Sequence, residues 1–186
     1  AILLESDGKP ALGRSAAISN HQEAIATILK ELLTDPEHGC IASLDEVQAI
    51  GHRVVHGGEH FSSATIVTPD VKSAIDDCCR FAPLHNPANL NGIWACDRLV
   101  EKVPQVAVFD TAFHSTMPPE AYFYALPRKL YEERGIRRYG FHGTSHYYVA
   151  GEAVKLLDAA GVAAPHHIVT CHLGNGASVA AVRDGR

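Results

Sequence analysis

The segment QVAVFD, residues 105–110, constrains the fold of this chain more than any other stretch. Its short apolar run predicts a buried strand, and Asp110 stands at the carboxyl end of that strand. Predicted helices lie on both sides of it along the chain, and this alternation of strands and helices indicates an α/β fold. Because open α/β sheets bind ligands at the carboxyl ends of their strands, Asp110 is a candidate site residue.

The predicted helices are marked by their first residues. Ser19 or Asn20 is expected to cap one helix. Thr68-Pro69-Asp70 begins another, with a cap, a proline in the first turn and an early acidic residue. Thr144 or Ser145 is expected to cap a longer helix near the end of the chain.

Two other segments predict strands. VQAIGHRVVHGG, residues 47–58, is expected to form a strand that closes in a Gly-Gly turn. HIVTCHLGNGASVAAVRDGR, residues 167–186, predicts two strands about a Gly-Asn-Gly turn. Residues 1–14 are polar and glycine-rich, and no element is predicted there.

The overall charge excludes two classes of partner. The chain has 186 residues and a net charge of −5, so it has neither the basic surface of a nucleic-acid binder nor a polybasic surface for anionic lipid. No apolar run is long enough to cross a membrane, and no signal peptide opens the chain. Its five cysteines include no CxxC pair, which favours a reduced, cytoplasmic protein.

Arg53 and Val55 are the first candidate binding pair. On a strand they lie on one face, opposite His52, Val54 and His56. A guanidinium beside an apolar side chain suits a small organic anion with a short alkyl tail. The alternative is an ordinary surface arginine on an edge strand, and this segment alone leaves both interpretations open.

His85 and Asp110 are candidates because of where they stand. His85 comes directly before the predicted helix start Asn86-Pro87, where an anion can bind, although it can also simply pack near the cap. Asp110 can hold Mg²⁺ through water or accept a hydroxyl proton. The alternative for Asp110 is an aspartate that caps the following loop.

Twelve histidines raise the question of a metal site. His142 and His146 in GFHGTSH have the spacing of a zinc pair on one helix face. Gly143 and the predicted helix caps place His142 before the helix, so the two side chains are not expected to share a face. A separate module of His52, His56 and His60 stays open as a metal-binding alternative.

HLGNGAS, residues 172–178, predicts a phosphate-binding turn. Gly174 and Gly176 allow positive φ and can expose successive backbone N–H groups to phosphate oxygens. Asn175 between them can bond a phosphate or simply make the turn. The alternative is a hairpin that uses these residues for geometry alone.

Taken together, five segments resemble the acetate kinase family of short-chain carboxylate kinases. They are GHRVVHGG, FAPLHNPAN, VFDTAFHSTMPPEAYFYALP, RRYGFHGTSH and HLGNGAS, in the family's order. The resemblance implies an actin-like, ribonuclease H-like α/β fold with a mixed sheet and flanking helices. It also implies two domains with the site between them, residues 1–112 being most of the first and residues 113–186 the first part of the second.

The resemblance further implies an activity and its participants. The reaction is the reversible phosphorylation of acetate by ATP with Mg²⁺, which gives acetyl phosphate, a precursor of acetyl-CoA, and ADP. The family implies a cytoplasmic homodimer with no nucleic-acid or membrane partner. A propionate or butyrate kinase is the nearest alternative, because one methylene changes binding by only about 1–3 kcal/mol.

Site residues follow from the resemblance position by position. Arg53 matches the substrate-binding arginine, and the pocket for the methyl group matches Val55, Leu84 and Phe141. His85 matches a histidine near the transferring phosphoryl group, Asp110 the active-site acid, and His142 the transition-state stabiliser. The loop that binds the ATP phosphates matches His172, Leu173, Gly174, Asn175 and Gly176.

Some family features have no counterpart here. Nothing like the family's opening phosphate loop precedes Ala1, and its second arginine, adenosine pocket and metal-site glutamate do not appear before Arg186. The resemblance therefore implies an internal piece of the family's chain. We expect this piece alone to be a catalytically inactive fragment that self-associates or loses order after about residue 160.

Overall fold

The computed structural model describes residues 2–4, 12–15 and 17–186. Within them the strands are β1 Ile2–Leu4, β2 Leu12–Arg14, β3 Ile50–Val54, β4 Thr65–Ile66, β5 Gln105–Phe109, β6 His167–Leu173 and β7 Ala177–Arg183. The α-helices are α1 His21–Thr34, α2 Pro69–Asp77, α3 Asn86–Leu99, α4 Pro119–Tyr122, α5 Lys129–Arg134 and α6 Gly143–Ala159. The predicted alternation of strands and helices is confirmed.

The central sheet is mixed and has the order β3-β5-β4. β3 runs parallel to β5, with Arg53 beside Val108 and Val54 beside Phe109, whereas β4 is antiparallel. The carboxyl ends of β3 and β5 therefore meet at one edge of the sheet. Arg53, near the end of β3, and Asp110, directly after β5, are brought to that edge.

The main core lies under this edge. Val54, Ile75, Leu90, Ile93 and Phe109, from β3, α2, α3 and β5, are each no more than 1% exposed. Burial of each such side chain contributes about 1.5–3 kcal/mol, so the two strands are held rigidly against α2 and α3. The strand ends that carry the candidate site residues are therefore fixed in position.

Two helix starts confirm the predicted capping. The Asn20 side chain accepts a hydrogen bond from the Glu23 backbone N–H, and Thr68 accepts one from Val71. Asn86, by contrast, is the first residue inside α3, and the cap position belongs to His85. The Asn86 side chain is unavailable as a cap because it is bonded elsewhere, as described below.

The start of α6 differs from the prediction. The cap position belongs to His142, so Thr144 and Ser145 lie inside the first turn. The Gly143 N–H donates to the carbonyl oxygen of Asp110 at 2.9 Å. This contact with the end of β5 sets where the helix begins, and no local capping signal in the sequence reports it.

Two pairs of antiparallel strands lie at the two ends of the described chain. β1 and β2 pair antiparallel, Ile2 with Arg14, where the sequence predicted no element, because three-residue strands are too short to show a period. β6 and β7 pair antiparallel about residues 174–176, as predicted.

Two further observations concern the chain as a whole. No helix among the described residues is long and apolar enough to cross a membrane. The five cysteines are all free thiols.

Candidate active site

Arg53 and Asp110 form a bidentate ion pair at the carboxyl edge of the central sheet. Arg53 donates from Nε to Oδ1 at 3.0 Å and from Nη2 to Oδ2 at 2.6 Å. The Asp110 side chain is 1% exposed, whereas that of Arg53 is 61% exposed. Two of the five guanidinium N–H donors are used in this pair, so the exposed side of Arg53 can still bind an anion.

Gly143 brings the start of α6 against Asp110. A Cβ atom at position 143 would lie 2.2 Å from the Asp110 carbonyl oxygen, so only glycine fits there. The preceding residue, His142, has a left-handed backbone with φ 57°. For a non-glycine residue this conformation stores strain, which is common at functional sites. The close packing of α6 on β5 thus fixes the orientation of His142.

His142 and His172 form a stacked pair. Their ring centroids are 4.1 Å apart with an interplanar angle of 18°. Nδ1 of His142 lies 2.8 Å from the Ser178 hydroxyl, and Nδ1 of His172 lies 3.0 Å from the Ser145 hydroxyl. Burial, and then the neighbouring His172 ring, lower the pKa of His142. At neutral pH His142 is therefore mainly uncharged.

His142 faces the glycine turn through its other ring nitrogen. A methyl group added at Gly176 would lie 3.1 Å from Nε2 of His142. A Cβ atom at this position would push the ring back by a few tenths of an ångström, so Gly176 allows the close approach. The predicted positive φ of Gly174 and Gly176 is wrong, since neither is among the positive-φ glycines of the described residues. The Gly174 N–H donates to the Gly176 carbonyl at 3.1 Å, so it is not directed outward as the sequence suggested.

His142 and His146 meet at a hydroxyl group. His142 precedes the helix, as predicted, yet both rings contact the Ser178 hydroxyl, each at 2.8 Å. The expectation that their side chains lie on separate faces is therefore wrong. The left-handed backbone of His142 turns its ring towards β7, which the sequence pattern does not show.

The structure contradicts the metal-binding alternative. Among the described residues, no group of three or more His, Cys, Asp or Glu side chains is placed to hold a metal ion. His52 contacts the Gln105 side-chain oxygen through Nε2 at 2.7 Å. Nδ1 of His56 accepts the Gly58 N–H at 3.0 Å, and its ring packs against Phe81. His52 and His56 are therefore engaged within the fold.

Acid is expected to destabilise the protein through His56. This side chain is 1% exposed, and burial lowers its pKa to about 4. The unfolded state binds this proton more readily than the folded state does. The stability that neutral His56 contributes is therefore fully present above the ordinary imidazole pKa, and it is lost as the pH falls towards the pKa of His56 in the folded state. The expected loss is about 3 kcal/mol.

Urea unfolding between about pH 7.5 and about pH 4.5 measures this effect. His56→Gln keeps an acceptor for the Gly58 N–H but cannot titrate, so the variant is expected to lose less stability over the same range. Equal pH slopes in the two proteins would contradict the assignment.

Asn86 and Asn89 are site-supporting residues that the sequence analysis missed. The Asn89 Oδ1 accepts from the Val55 N–H, and the Asn86 Oδ1 accepts from the His56 N–H. Asn86 is fully buried and also donates to the His56 carbonyl at 2.9 Å. Their spacing of three places both on one face of α3, and this is the signal that could have identified them.

The remaining predicted residues are spread around this group. His85 is exposed at the start of α3 and makes no capping bond. Val55 is half-buried, Leu84 is 84% exposed and Phe141 is 37% exposed. Their apolar surfaces are accessible to a ligand and do not form a closed core. The structure thus brings together Arg53, Asp110, His142 and the glycine turn, and leaves the apolar residues on the surface.

A cleft of about 1150 Å³ lies elsewhere, between the 3-10 helix Phe113–Thr116 and the β6–β7 hairpin. Its lining includes His114 and Arg138 but none of Arg53, Asp110 or His142. Size alone would favour this cleft. We place the candidate site at the arginine and histidine group instead, because that group combines an exposed guanidinium with stacked imidazoles.

The sequence as a whole matches the acetokinase family, over residues 2–186. Acetate kinase of Desulfitobacterium hafniense is 54% identical over 92% of this chain and 42% of its own length. Acetate kinase of Methanosarcina mazei is 52% identical over 97% of this chain and 43% of its own length.

Solved structures show the same similarity. The acetate kinase of Porphyromonas gingivalis has a TM-score of 0.83 at 43% identity, and covers 99% of this chain with 45% of its own. The propionate kinase of Francisella tularensis has a TM-score of 0.84 at 39% identity, with the same coverage. The predicted actin-like α/β fold is confirmed, and the chain spans under half the length of the relatives it matches.

Proposed function

This chain belongs to the acetokinase family, and we propose that the whole protein transfers the γ-phosphoryl group of ATP reversibly to the carboxylate of acetate. The observation that carries the proposal is the exposed guanidinium of Arg53, fixed on buried Asp110 near the stacked imidazoles. This arrangement offers positive charge to one anion and ring nitrogens to a second.

The chemistry requires little acid–base catalysis. A carboxylate is already ionised and nucleophilic at neutral pH, so the main barrier is the repulsion between two anions. Arg53 would bind the acetate carboxylate through its free N–H donors and neutralise its charge. Asp110 would orient the guanidinium, because both of its oxygens accept from Arg53.

His142 would act on the transferring phosphoryl group. Its Nε2 edge faces the turn Gly174–Gly176, which we propose holds the ATP phosphates together with His172, Leu173 and Asn175. A positioned donor stabilises the charge on the equatorial oxygens in the transition state. His85, exposed at the amino end of α3, is a second candidate contact for that group.

The acceptor pocket is proposed from surface side chains. Val55, Leu84 and Phe141 expose apolar surface that would cover the methyl group of acetate. One methylene group in an apolar pocket is worth about 1–3 kcal/mol, so selectivity between neighbouring short carboxylates is expected to be about 10- to 200-fold.

The described residues do not fit a magnesium site. They contain no cluster of carboxylates or imidazoles that could hold the ion, and both oxygens of Asp110 are bonded to Arg53. We therefore do not assign Asp110 as a residue that holds Mg²⁺ through water. We assign no step to a metal held by this chain.

A division at residues 112 and 113 remains our proposal for the domains. The three-stranded sheet of β3, β5 and β4 lies before that point, and the β6–β7 hairpin is a separate sheet after it. The candidate site combines Arg53 and Asp110 from the first unit with His142 and His172 from the second.

The function is tested by assaying the whole protein with ATP and acetate, with hydroxylamine present to trap the acyl phosphate. We expect acetyl hydroxamate that requires both substrates. Propionate is the second candidate acceptor, because a propionate kinase shares the fold at a TM-score of 0.84. Butyrate is expected to have a kcat/KM about 10- to 200-fold below that of acetate. Absence of acyl hydroxamate with all three acids would contradict the proposal.

A further inference from the structure

Ser178 lies where the rings of His142 and His146 meet. Its hydroxyl oxygen is 2.8 Å from Nδ1 of His142 and 2.8 Å from Nε2 of His146. On its other side, His146 contacts the Thr170 hydroxyl through Nδ1 at 2.7 Å. We call Ser178, His146 and Thr170 the Ser178 chain. It connects the start of α6 with β6 and β7.

We assign the direction of the hydrogen bonds from the last acceptor. The carbonyl oxygen of Ala180 can only accept, and the Thr170 hydroxyl donates to it at 3.5 Å. In this orientation the Thr170 oxygen accepts the Nδ1–H of His146. A Thr170 proton directed to Nδ1 instead would reverse every bond of the chain and place the His142 proton on Nε2. With its proton on Nδ1, a neutral His146 has a lone pair on Nε2, which accepts the Ser178 hydroxyl proton. The Ser178 oxygen then accepts the Nδ1–H of His142.

His146 is well suited to stay neutral in this chain. Its side chain is 1% exposed, and a charge there would be costly to bury. Burial, and then the nearby imidazoles of His114, His142 and His172, lower its pKa. A neutral His146 carries a single ring proton, which is what the direction of the chain requires.

The second imidazole of the stacked pair is held in the same manner. Nδ1 of His172 lies 3.0 Å from the Ser145 hydroxyl, and a methyl group added at Gly174 would lie 3.9 Å from Nε2 of His172. Both stacked rings therefore contact a serine through Nδ1 and face the glycine turn through Nε2. The orientation of His142 is therefore one of two matching ring orientations, each fixed by a serine hydroxyl at Nδ1.

We propose that the Ser178 chain holds His142 in the tautomer with its proton on Nδ1, so that Nε2 is the ring nitrogen presented to the turn Gly174–Gly176. Ser178, His146 and Thr170 are then positioning residues that act through His142. A hydrogen bond at one imidazole nitrogen sets the role of the other, which is the physical basis of the effect. The tautomer stands without the proposed function, whereas its catalytic consequence rests on that function.

One consequence concerns the charge of His142. While neutral, it offers the turn a lone pair, and it becomes an N–H donor for a phosphate oxygen only when it is protonated. Asp110 favours the protonated form, whereas Arg53, His114 and His172 disfavour it. A bound phosphate adds negative charge and is expected to favour protonation.

The tautomer is measured by nitrogen-15 NMR of the histidine-labelled whole protein, about two pH units above the ordinary imidazole pKa. His142 is assigned by the loss of its signals in His142→Gln. We expect a protonated Nδ1 and an unprotonated Nε2 in the unmodified protein, and a shift to the Nε2–H form in Ser178→Ala. An Nε2–H ring in the unmodified protein, or no change in Ser178→Ala, would overturn the proposal.

Two variants control for loss of structure. Ser178→Thr keeps the hydroxyl and is expected to restore the Nδ1–H form. Ser145→Ala removes the hydroxyl next to His172 and is expected to leave the tautomer of His142 unchanged. A change in Ser145→Ala as large as that in Ser178→Ala would show a general disturbance and overturn the assignment to Ser178.

Kinetics separate this proposal from the proposed function. Ser178→Ala is expected to lower kcat about tenfold, with recovery in Ser178→Thr, as is typical when a hydrogen bond that orients an imidazole is removed. An altered tautomer with unchanged kcat would leave the role of the Ser178 chain in setting the tautomer in place and overturn the catalytic consequence of that tautomer. An unaltered tautomer with a lowered kcat would overturn the positioning role itself.

Discussion

Replacement of His142 by alanine in the whole protein is expected to lower kcat for acetyl phosphate formation on the order of 10²- to 10³-fold. The substitution removes an imidazole whose Nε2 edge faces the glycine turn and which donates to a phosphate oxygen when it is protonated, so the loss falls on the transition state. The KM values for ATP and acetate are expected to change much less, because the interaction forms mainly in the transition state. Steady-state kinetics at saturating substrates measure the effect.

Two control variants distinguish this loss from a change in the backbone. His142 has φ 57°, which alanine tolerates poorly and glycine tolerates well. His142→Gly should therefore relieve the strain and remain as inactive as His142→Ala. His21→Ala, at an exposed position that begins α1, makes the same change far from the site and should leave kcat unchanged. A recovery in His142→Gly, or a loss under threefold in His142→Ala, would count against the role of the imidazole.

Replacement of Arg53 by alanine is expected to lower kcat/KM for acetate on the order of 10³-fold, with ATP affinity nearly unchanged. The variant loses the charged fork that would bind acetate and leaves Asp110, 1% exposed, without its bidentate partner. Arg53→Lys keeps the charge but loses the planar pair of N–H donors. Its kcat/KM for acetate is therefore expected to lie between those of the unmodified protein and Arg53→Ala. Acetate and ATP titrations of the initial rate measure both effects.

A double variant separates binding from stability. Arg53→Ala alone is expected to destabilise the fold by about 3 kcal/mol, because a buried carboxylate is left unpaired. Adding Asp110→Asn removes that charge and should recover much of the stability in urea unfolding, without recovering activity. If activity returned together with stability, Arg53 would act only as a structural partner of Asp110. Unaltered kinetics in Arg53→Ala would equally contradict the assignment.

Much of the local structure could be predicted from the sequence. Thr68 caps α2, and the apolar run before Asp110 forms β5 as predicted. Helix α5 ends at Gly135, because Gly135 adopts the left-handed conformation that its missing Cβ allows and that glycine in the sequence signals. The cap and the glycine stop depend on hydrogen bonds or steric limits within about four residues, and β5 shows itself as a short apolar run. Such interactions are contained in a short stretch of sequence and can be recognised there.

The candidate site was only partly predictable. Arg53, Asp110 and His142 were named from their motifs, and the structure brings Arg53 into direct contact with Asp110. Their pairing was not foreseen, since the sequence assigned them to separate ligands. The two serines that contact the stacked histidines were also missed, because serine is common on strands and at helix starts for unrelated reasons.

The sequence by itself thus determined the α/β class, the starts of several helices, the β6–β7 hairpin and the residue types available for anion binding. Only the tertiary structure decided which of these groups meet. Arg53 and Asp110 are 57 positions apart, and His142 and Ser178 are 36 positions apart. Such contacts depend on how β3 aligns with β5 and how α6 packs on β6 and β7. That alignment is set by the summed burial of many side chains in the core, which no single segment of the sequence encodes.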